Sequence, residues 1–204
     1  MGVWRHRIVL TAALVLASTS AFASSALAGW QDRATLADMD RLDDLPQIRF
    51  LAVDQTHSGF GQGDASIIHK VMQPESRTVP RRALTGNWKC RQIKLGGISS
   101  YMVYPDWFNC RIRQDKNGLV FEKLNGSQLM SGRLYEERGA FVYLGASWVK
   151  GEGRHAYSGR APSLGGAVRS DDQIGLLSGI GNDHLRLEIP ATQESLLDVV
   201  EMVR

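Results

Sequence analysis

This sequence has no short catalytic motif, only two cysteines and little net charge. Its 204 residues contain no G-x-S-x-G nucleophile elbow, no H-E-x-x-H zinc motif, no Walker A loop and no EF-hand loop. Gly151-Glu152-Gly153 begins a dinucleotide-binding pattern, but the third glycine and the following helix are missing. The sequence therefore predicts no catalytic residue, no metal site and no cofactor, and it does not specify a reaction.

The weak charge excess argues against nucleic acid or an anionic membrane as a partner. The chain has 24 Lys and Arg residues against 21 Asp and Glu residues. Arg5 and Arg7 lie in an N-terminal segment that we expect to be removed, which leaves 22 basic residues against 21 acidic ones. A net charge this small gives no electrostatic reason to expect a polyanion as partner.

A long apolar run occurs near the N-terminus, where the sequence resembles a secretory signal peptide. Arg5-His6-Arg7 form a positive region, the run Ile8–Ala17 is apolar, and Ala26-Leu27-Ala28 matches an A-x-A cleavage site before Gly29. Ala21-Phe22-Ala23 is an alternative site. The run is shorter than the ~20 residues that span a bilayer. We therefore expect a periplasmic or secreted protein with no stable membrane anchor.

The chain has two cysteines, Cys90 and Cys110, and both follow the predicted signal peptide. Export to an oxidising compartment makes a disulfide between them the default expectation. Two free or metal-binding thiols are the alternative. Neither cysteine belongs to a C-x-x-C pair or has a histidine close by in sequence, which disfavours that alternative.

Residues 29–82 have the pattern of a helical hairpin followed by a linker. Thr35 is the expected N-cap of the first helix, and Asp38 takes the capping-box position three residues later. Pro46 is expected to break or kink this helix, and Asp64 to cap the second. The first helix carries an apolar stripe and an acidic cluster that we expect to be solvated: Leu36, Met39, Leu42 and Leu45; Asp38, Asp40, Asp43 and Asp44.

From residue 83 onward the pattern changes to short β-strands separated by Gly, Asn and Asp turns. Strands are predicted at 86–95, 99–104, 107–114, 118–125, 128–136, 140–149, 172–180, 183–189 and 196–203. Many short consecutive strands with tight turns indicate a barrel or a sandwich, and we favour a barrel with meander connections. The predicted fold class is therefore α+β: a helical hairpin, then an antiparallel, lipocalin-like β-barrel of eight or nine strands over 83–204.

Two of these strands depart from simple alternation. In the first, Trp88 and Cys90 have one parity whereas Ile93 and Leu95 have the other, which predicts a bulge or bend near Gln92. The strand 140–149 is apolar on both parities, so both of its faces must be covered. The helical hairpin, a ligand inside the barrel or a docked partner would each provide the second cover.

Candidate ligand-binding residues are polar side chains near loops. Gln128 and Arg133 flank a strand start, and Arg154 and Arg160 lie in the long loop 150–171, whose length is typical of a functional segment. Arginines in a loop of this kind are suited to an acidic ligand. The alternative is that Gly126, Ser127, Ser131 and Gly132 satisfy a turn, that Arg133 pairs on the surface and that the loop arginines are solvated.

Several strings in the β half resemble an exported bacterial family catalogued as a domain of unknown function, DUF4893, and found mainly in alphaproteobacteria. The strings are Gly86-Asn87-Trp88-Lys89-Cys90-Arg91-Gln92-Ile93-Lys94-Leu95-Gly96, Tyr104-Pro105-Asp106-Trp107-Phe108-Asn109-Cys110-Arg111-Ile112, Phe121-Glu122-Lys123-Leu124-Asn125-Gly126-Ser127-Gln128, Ser131-Gly132-Arg133-Leu134-Tyr135 and Leu197-Asp198-Val199. The resemblance implies a signal peptide, a helical N-terminal part and the two cysteines, and it supplies no activity. Gly86-x-Trp88 is also similar to the G-x-W that opens lipocalin-like barrels.

Three functions remain open. The leading hypothesis is a non-enzymatic exported module that binds a small molecule, because barrel mouths are common ligand sites. The alternatives are an interaction or protease-inhibitor-like module with an envelope protein as partner, and an enzyme with a dispersed site. An apolar surface patch would favour the interaction module. A pocket holding a carboxylate or histidine with a strongly shifted pKa would favour the enzyme.

The predicted signal peptide can be tested by the mass of the exported protein. Protein purified from its native host is expected to begin at Gly29, because the A-x-A site precedes that residue. Intact-mass spectrometry measures this directly. A mass that includes Met1 would show that the segment is retained.

Overall fold

A closed antiparallel barrel of eight strands forms the body of the protein, with one further strand beside it. The structure is a computed structural model and describes residues 29–57, 62–159, 171–190 and 193–204. The predicted signal peptide over residues 1–28 and the candidate residue Arg160 lie outside the described residues.

The strands follow one another around the barrel in chain order. They are β1 Gly86–Leu95, β2 Tyr101–Val103, β3 Phe108–Asp115, β4 Gly118–Lys123, β5 Gln128–Glu137, β6 Ala140–Val149, β7 Asp172–Gly181, β8 His184–Pro190 and β9 Leu197–Val203. From β3 to β9 each strand pairs with the next, and β9 pairs with β1 to close the barrel. Strand β2 pairs only with the end of β1. The predicted antiparallel barrel is confirmed.

Strand β1 closes the barrel by pairing along two different edges. Its first half, Gly86–Cys90, pairs with β3, and Lys89–Leu95 pairs with β9 residue for residue. The bulge predicted near Gln92 is therefore wrong, since the register through that residue is unbroken. The parity of the apolar residues changes because the covered face of the strand changes: Ile93 and Leu95 face outward, under the helices.

In the described part of the chain before the barrel there are four helices: α1 Leu36–Asp43, α2 Leu45–Thr56, α3 Gln62–Met72 and α4 Arg81–Leu84. Thr35 caps α1 as predicted, and its hydroxyl accepts a hydrogen bond from the amide of Asp38 at 3.1 Å. Pro46 lies in the first turn of α2, where its missing N–H costs nothing. Asp64 is not an N-cap, because α3 already begins at Gln62. Asp38 is buried rather than solvated.

The helices cover the outside of the barrel with a second apolar layer. This layer includes Leu45, Ala52, Ile68, Val71, Ile93, Leu95, Leu197 and Val199. On another side, Trp30 and Ala34 pack against Val142 and Leu144 of β6. Since Phe141 and Tyr143 point into the barrel, the N-terminal segment provides the second cover that the apolar pattern of β6 required.

A buried arginine ties α3 to the barrel wall. Arg186 of β8 is 1% exposed, and it donates hydrogen bonds to the carbonyls of Val71, Met72 and Pro74 at 3.0–3.2 Å. These carbonyls end α3, where the helix leaves its acceptors unpaired and its dipole favours a cation. Glu188 lies 3.1 Å from Arg186 and also accepts two hydrogen bonds from Arg49 of α2.

The two ends of the barrel differ. At one end the strands are joined by the tight turns 116–117, 138–139 and 182–183. That end is closed by Trp88, whose indole N–H donates to the Leu84 carbonyl at 2.9 Å and whose ring lies 3.9 Å from the Arg204 guanidinium. The other end carries the longer connections, including residues 150–171. We call these the closed end and the open end.

The predicted disulfide joins Cys90 of β1 to Cys110 of β3 inside the barrel. Both cysteines are buried among the apolar side chains of the interior. In the described residues, no helix combines the length and hydropathy needed to cross a membrane.

Removing the disulfide should destabilise the barrel measurably. The double substitution C90A/C110A is expected to lower the free energy of unfolding by about 3 kcal/mol, because the bridge restricts a loop of 20 residues in the unfolded chain. Urea denaturation measures the loss. As a control, thiol titration of the unreduced, unfolded wild-type protein should find no free thiol, and two free thiols would contradict the bridge.

Candidate functional site

Polar side chains line the inside of the barrel at its open end. Alternate residues of a strand face the same side, and directly paired residues share a face, so the interior set follows from the strand registers. Toward the closed end the interior is apolar. Toward the open end it consists of Gln92, Lys94, Lys123, Gln128, Ser147, Gln173 and Asp198. We call this set the polar layer.

A cavity of about 150 Å³ opens above the polar layer. It combines interior residues of six strands with rim residues from α1 and from the connections that follow β6 and β8. The lining consists of Arg41, Lys94, Gln128, Ser147, Asp171, Asp172, Gln173, Ile189, Gln193, Glu194 and Asp198. We call it the mouth cavity.

Asp198 is the buried carboxylate of the mouth cavity. It is 4% exposed, accepts a hydrogen bond from the Ser195 hydroxyl at 2.5 Å and has the Gln92 amide nitrogen at 3.5 Å. Burial penalises its charged form and raises its pKa above the ordinary value, although Ser195 and the nearby Lys94 oppose the shift. A carboxylate held this way is available as an acceptor or, when protonated, as a donor.

Lys94 places a cation beside Asp198. Its side chain is 8% exposed and forms an ion pair with Glu194. Burial lowers the pKa of Lys94, but the hydrogen bond that Lys94 donates to Glu194 and the charge of Asp198 outweigh burial and raise it. Lys94 therefore stays charged at neutral pH, and its charge is matched by Glu194 at the rim.

Two buried polar atoms near the mouth cavity have no hydrogen-bond partner in the described part of the chain. One is Oε1 of Gln173, which lines the cavity, and the other is the hydroxyl of Tyr143. A Cβ added to Gly145 would lie 2.1 Å from that hydroxyl, so the ring depends on the glycine for space. Since Gly145 pairs with Gln173, the hydroxyl lies just beneath the cavity wall. Unpaired buried polar atoms are rare and costly.

The rim of the mouth cavity is acidic. Asp172 is 6% exposed and accepts hydrogen bonds from the amide of Ser158, at 3.0 Å, and from its hydroxyl. Asp171 pairs with His155, and Arg41 pairs with Asp38 of the same helix. The segment after β6 is thus fastened to the rim through its own polar contacts.

The candidate residues taken from the sequence lie on two separate surfaces. Gln128 lines the mouth cavity. Arg133 lies on the outside of the barrel and donates to both carboxylate oxygens of Asp115 at 3.0 and 3.1 Å. Arg154 also lies outside, 3.1 Å from Glu122 and 2.6 Å from the hydroxyl of Ser131. The structure therefore does not bring Gln128 together with either arginine.

The outer arginines surround a buried glutamate. Glu122 is 5% exposed and accepts hydrogen bonds from Arg111, Arg113 and Arg154. Burial favours its neutral form, but Arg113 and Arg111 outweigh this and lower its pKa to about 2. Each of these arginines thus has a carboxylate partner within the chain, which accounts for their position without an external ligand.

Sequence reasoning missed Lys94, Gln173 and Asp198. A usable signal was present in β1, where Gln92 and Lys94 continue the inward parity of Trp88 and Cys90. A polar continuation of an interior face indicates a lined cavity rather than a bulge. Asp198 carries the same signal, since it has the inward parity of the apolar residues that follow it in β9.

The arrangement offers hydrogen-bond donors and acceptors of both charges in a partly enclosed space. Throughout the residues that the structure describes, no three His, Cys, Asp or Glu side chains are grouped to hold a metal ion. The chemistry available in the mouth cavity is that of amides, hydroxyls, carboxylates, the ammonium group of Lys94 and the guanidinium group of Arg41.

A family model described as "Domain of unknown function (DUF4893)" matches residues 30–202, which is most of the chain. The search of curated proteins returns no match. The matched range covers the helices α1 to α4 and the strands β1 to β9 except for the last residue of β9.

Replacing Asp198 tests whether its buried carboxylate lowers the free energy of unfolding. Asp198→Asn is expected to stabilise the protein by about 1 kcal/mol at pH 7, because an amide brings no charge into the buried site. The folded-state pKa of Asp198 lies above the unfolded value, so the wild type loses stability as pH rises from about 4 through the folded pKa. Urea denaturation at pH 4 and pH 7 measures this loss, which the variant should lack.

Asp115→Asn is the control, because the contribution of Asp115 to stability has the opposite pH dependence. The pKa of Asp115 is lowered to about 2, chiefly by the hydrogen bond from Arg133. Its contribution is therefore present above the unfolded pKa and is lost as pH falls toward 2. If Asp198→Asn were instead less stable than the wild type at pH 7, the carboxylate would be a structural group.

Proposed function

Because the chain belongs to the DUF4893 family, whose description assigns it no activity, we propose its function from the site: it binds a small polar molecule in the mouth cavity. The proposal adds a function to the barrel fold that this chain has within the matched residues. It makes the protein a binding module rather than a structural barrel.

One observation carries this proposal: the interior of the barrel is polar only at its open end. Buried charges are costly, and apolar side chains of similar size would fill the same space with equal or greater stability. The closed end is filled in that apolar way. Buried Asp198 and Lys94, together with the unpaired Gln173 Oε1, therefore support selection for a ligand over selection for stability.

The cavity also suggests the size of the ligand. Pockets for drug-sized molecules measure roughly 300–1,000 Å³. The mouth cavity is about 150 Å³ and is bounded below by the filled interior of the barrel. A molecule of the size of an amino acid or a small polyol or amine suits this volume.

We also propose that the protein acts in the periplasm or outside the cell. The Cys90–Cys110 disulfide is compatible with an oxidising compartment. The N-terminal signal-like sequence supports the same location.

An enzyme with a dispersed site is the second candidate, and Asp198 favours it. A buried carboxyl with a raised pKa is suited to be a general acid. Acid–base catalysis needs a second group, however. Lys94 lies close to Asp198 but forms its ion pair with Glu194, and the hydrogen-bond partners of Asp198 in the described chain are Ser195 and Gln92. Binding therefore remains the better supported function.

An interaction module with an envelope protein as partner is the third candidate. The hairpin that joins β1 and β2 exposes Ile98, at 83%, and Met102, at 43%, close to the rim residue Glu194. Exposed apolar side chains of this kind are used to dock partners.

Native mass spectrometry of protein purified from the periplasm of its own host tests the proposal. The wild type is expected to carry a small-molecule adduct that is lost on denaturation. Gln128→Leu should reduce the adduct, because it removes a polar group from the cavity wall. The matched control is Arg154→Ala, which changes the outer surface and should leave the adduct unchanged.

Each alternative result has a meaning. A stoichiometric protein adduct would favour the interaction module. A clean mass for the wild type would count against tight binding of a small molecule. An adduct that Gln128→Leu and Arg154→Ala retain equally would place the ligand elsewhere on the protein.

A further inference from the structure

We infer that the ligand of the mouth cavity is a small organic cation that carries an ammonium or guanidinium group. This inference rests on the proposed function and deepens it by naming the chemical class. It follows from how the charges that line the cavity are paired with one another.

The two cations that line the cavity are already neutralised by a neighbour. Lys94 pairs with Glu194, and Arg41 pairs with Asp38. Asp171 contacts His155, whose ring is charged only when it is protonated. These two ion pairs leave little positive charge for an anionic ligand to meet.

Two carboxylates of the cavity differ from these cations. Asp172 is held by the amide and hydroxyl of Ser158, and Asp198 by the hydroxyl of Ser195. These donors are neutral, and within the described ranges neither carboxylate forms an ion pair within 4.0 Å. Both are nearly buried, at 6% and 4% exposed, so water screens their charge poorly. Lys94 lies close to Asp198, but its ion pair is with Glu194, so one ammonium group serves two carboxylates. The mouth cavity therefore has two carboxylates without an ion pair of their own, one inside the barrel and one at the rim, and we call these two unmatched.

Neighbouring neutral groups add acceptors rather than further positive charge. Gln173 presents an unpaired Oε1, and Gln128 has an Oε1 whose contact, the Gln92 amide, is 3.5 Å away. An ammonium group has three donors and a guanidinium has five, and neither has an acceptor. A ligand of this class would thus meet both the unmatched charge and the open acceptors.

Other ligand classes fit less well. An anion would be repelled by Asp172 and Asp198. A metal ion needs several converging ligands, and the described residues contain no group of three His, Cys, Asp or Glu side chains arranged to hold one. A neutral polyol would satisfy the acceptors but would leave both carboxylates unmatched.

The test uses four probes of similar length and different charge. Putrescine and agmatine carry ammonium and guanidinium groups, 1,4-butanediol is the neutral match of putrescine, and succinate is the anionic match. Isothermal titration calorimetry against the full exported chain should give a dissociation constant for at least one cation that is ten or more times lower than for butanediol, with no heat of binding from succinate.

Substitutions in the mouth cavity test whether its two unmatched carboxylates bind the cation. Asp198→Asn and Asp172→Asn should each weaken binding of the cation by tenfold or more, because each removes one unmatched carboxylate. Asp115→Asn makes the same charge change at the closed end and should stay within twofold of the wild type. Circular dichroism confirms that each variant is folded, and either cavity variant alone suffices if the other does not fold.

The outcomes separate the inference from the proposed function. If butanediol or succinate binds as tightly as the cations, the cationic class is wrong while a polar ligand site remains. If the cations bind equally to the wild type and to both cavity variants, they bind elsewhere and the inference is wrong. If no cation binds, the inference is overturned, and an adduct in native mass spectrometry would then decide whether the binding function survives.

Discussion

The pairing of β1 with both β3 and β9 is the constraint on which the rest of the structure depends. Closure by this strand removes both free edges of the eight-stranded sheet, and it forces each side chain of β1 to one side of the wall. Inward, the strand passes from Trp88 and Cys90 to Gln92 and Lys94. Outward, it passes from exposed Lys89 to Ile93 under the helices. Along β1 the inward side chains change from apolar to polar and the outward ones from exposed to covered. The apolar interior of the closed end, the polar layer and the docking of the helices all follow from this change.

Buried charge in this protein falls into two kinds, and only one of them suggests a ligand. Arg186 and Glu188 are almost completely buried, yet they contact each other, and three carbonyls of the α3 terminus accept from Arg186. Such a network stabilises because its partners are within the chain. Asp198 has only weak or neutral hydrogen-bond donors, and Gln173 Oε1 has none among the described residues. Arg186 Nε also lacks a hydrogen bond among the described residues, but it lies 3.1 Å from the Glu188 carboxylate. An oppositely charged partner within the chain, and not burial as such, separates this pair from the polar groups to which we assign a ligand.

Much of the fold was predictable because short strands and tight turns are recognisable from local sequence patterns. Period-two patterns and turn residues locate the nine strands, and Thr35 marks the start of α1. The error at Gln92 arose because one strand was assumed to have one buried face, whereas β1 is covered by different neighbours along its length. The candidate site was harder, since Arg133 and Arg154 are conspicuous in sequence while their partners Asp115 and Glu122 come from other strands. Pairing across strands is long-range information that local patterns do not contain.

The depth of the site is set by a single aromatic side chain. Tyr143 is fully buried, contacts Phe121 edge to face, and has its ring against Gly132 and Gly145, where any Cβ would collide with it. The ring therefore lies across the interior, between the apolar side chains of the closed end and the polar layer, with its hydroxyl near the cavity wall. A barrel of eight strands is just wide enough for side chains to fill it or to hold one small ligand. Here side chains fill the interior as far as Tyr143, and the mouth cavity lies above it. The ligand that we propose would therefore rest above Tyr143 and contact mainly the polar groups around it.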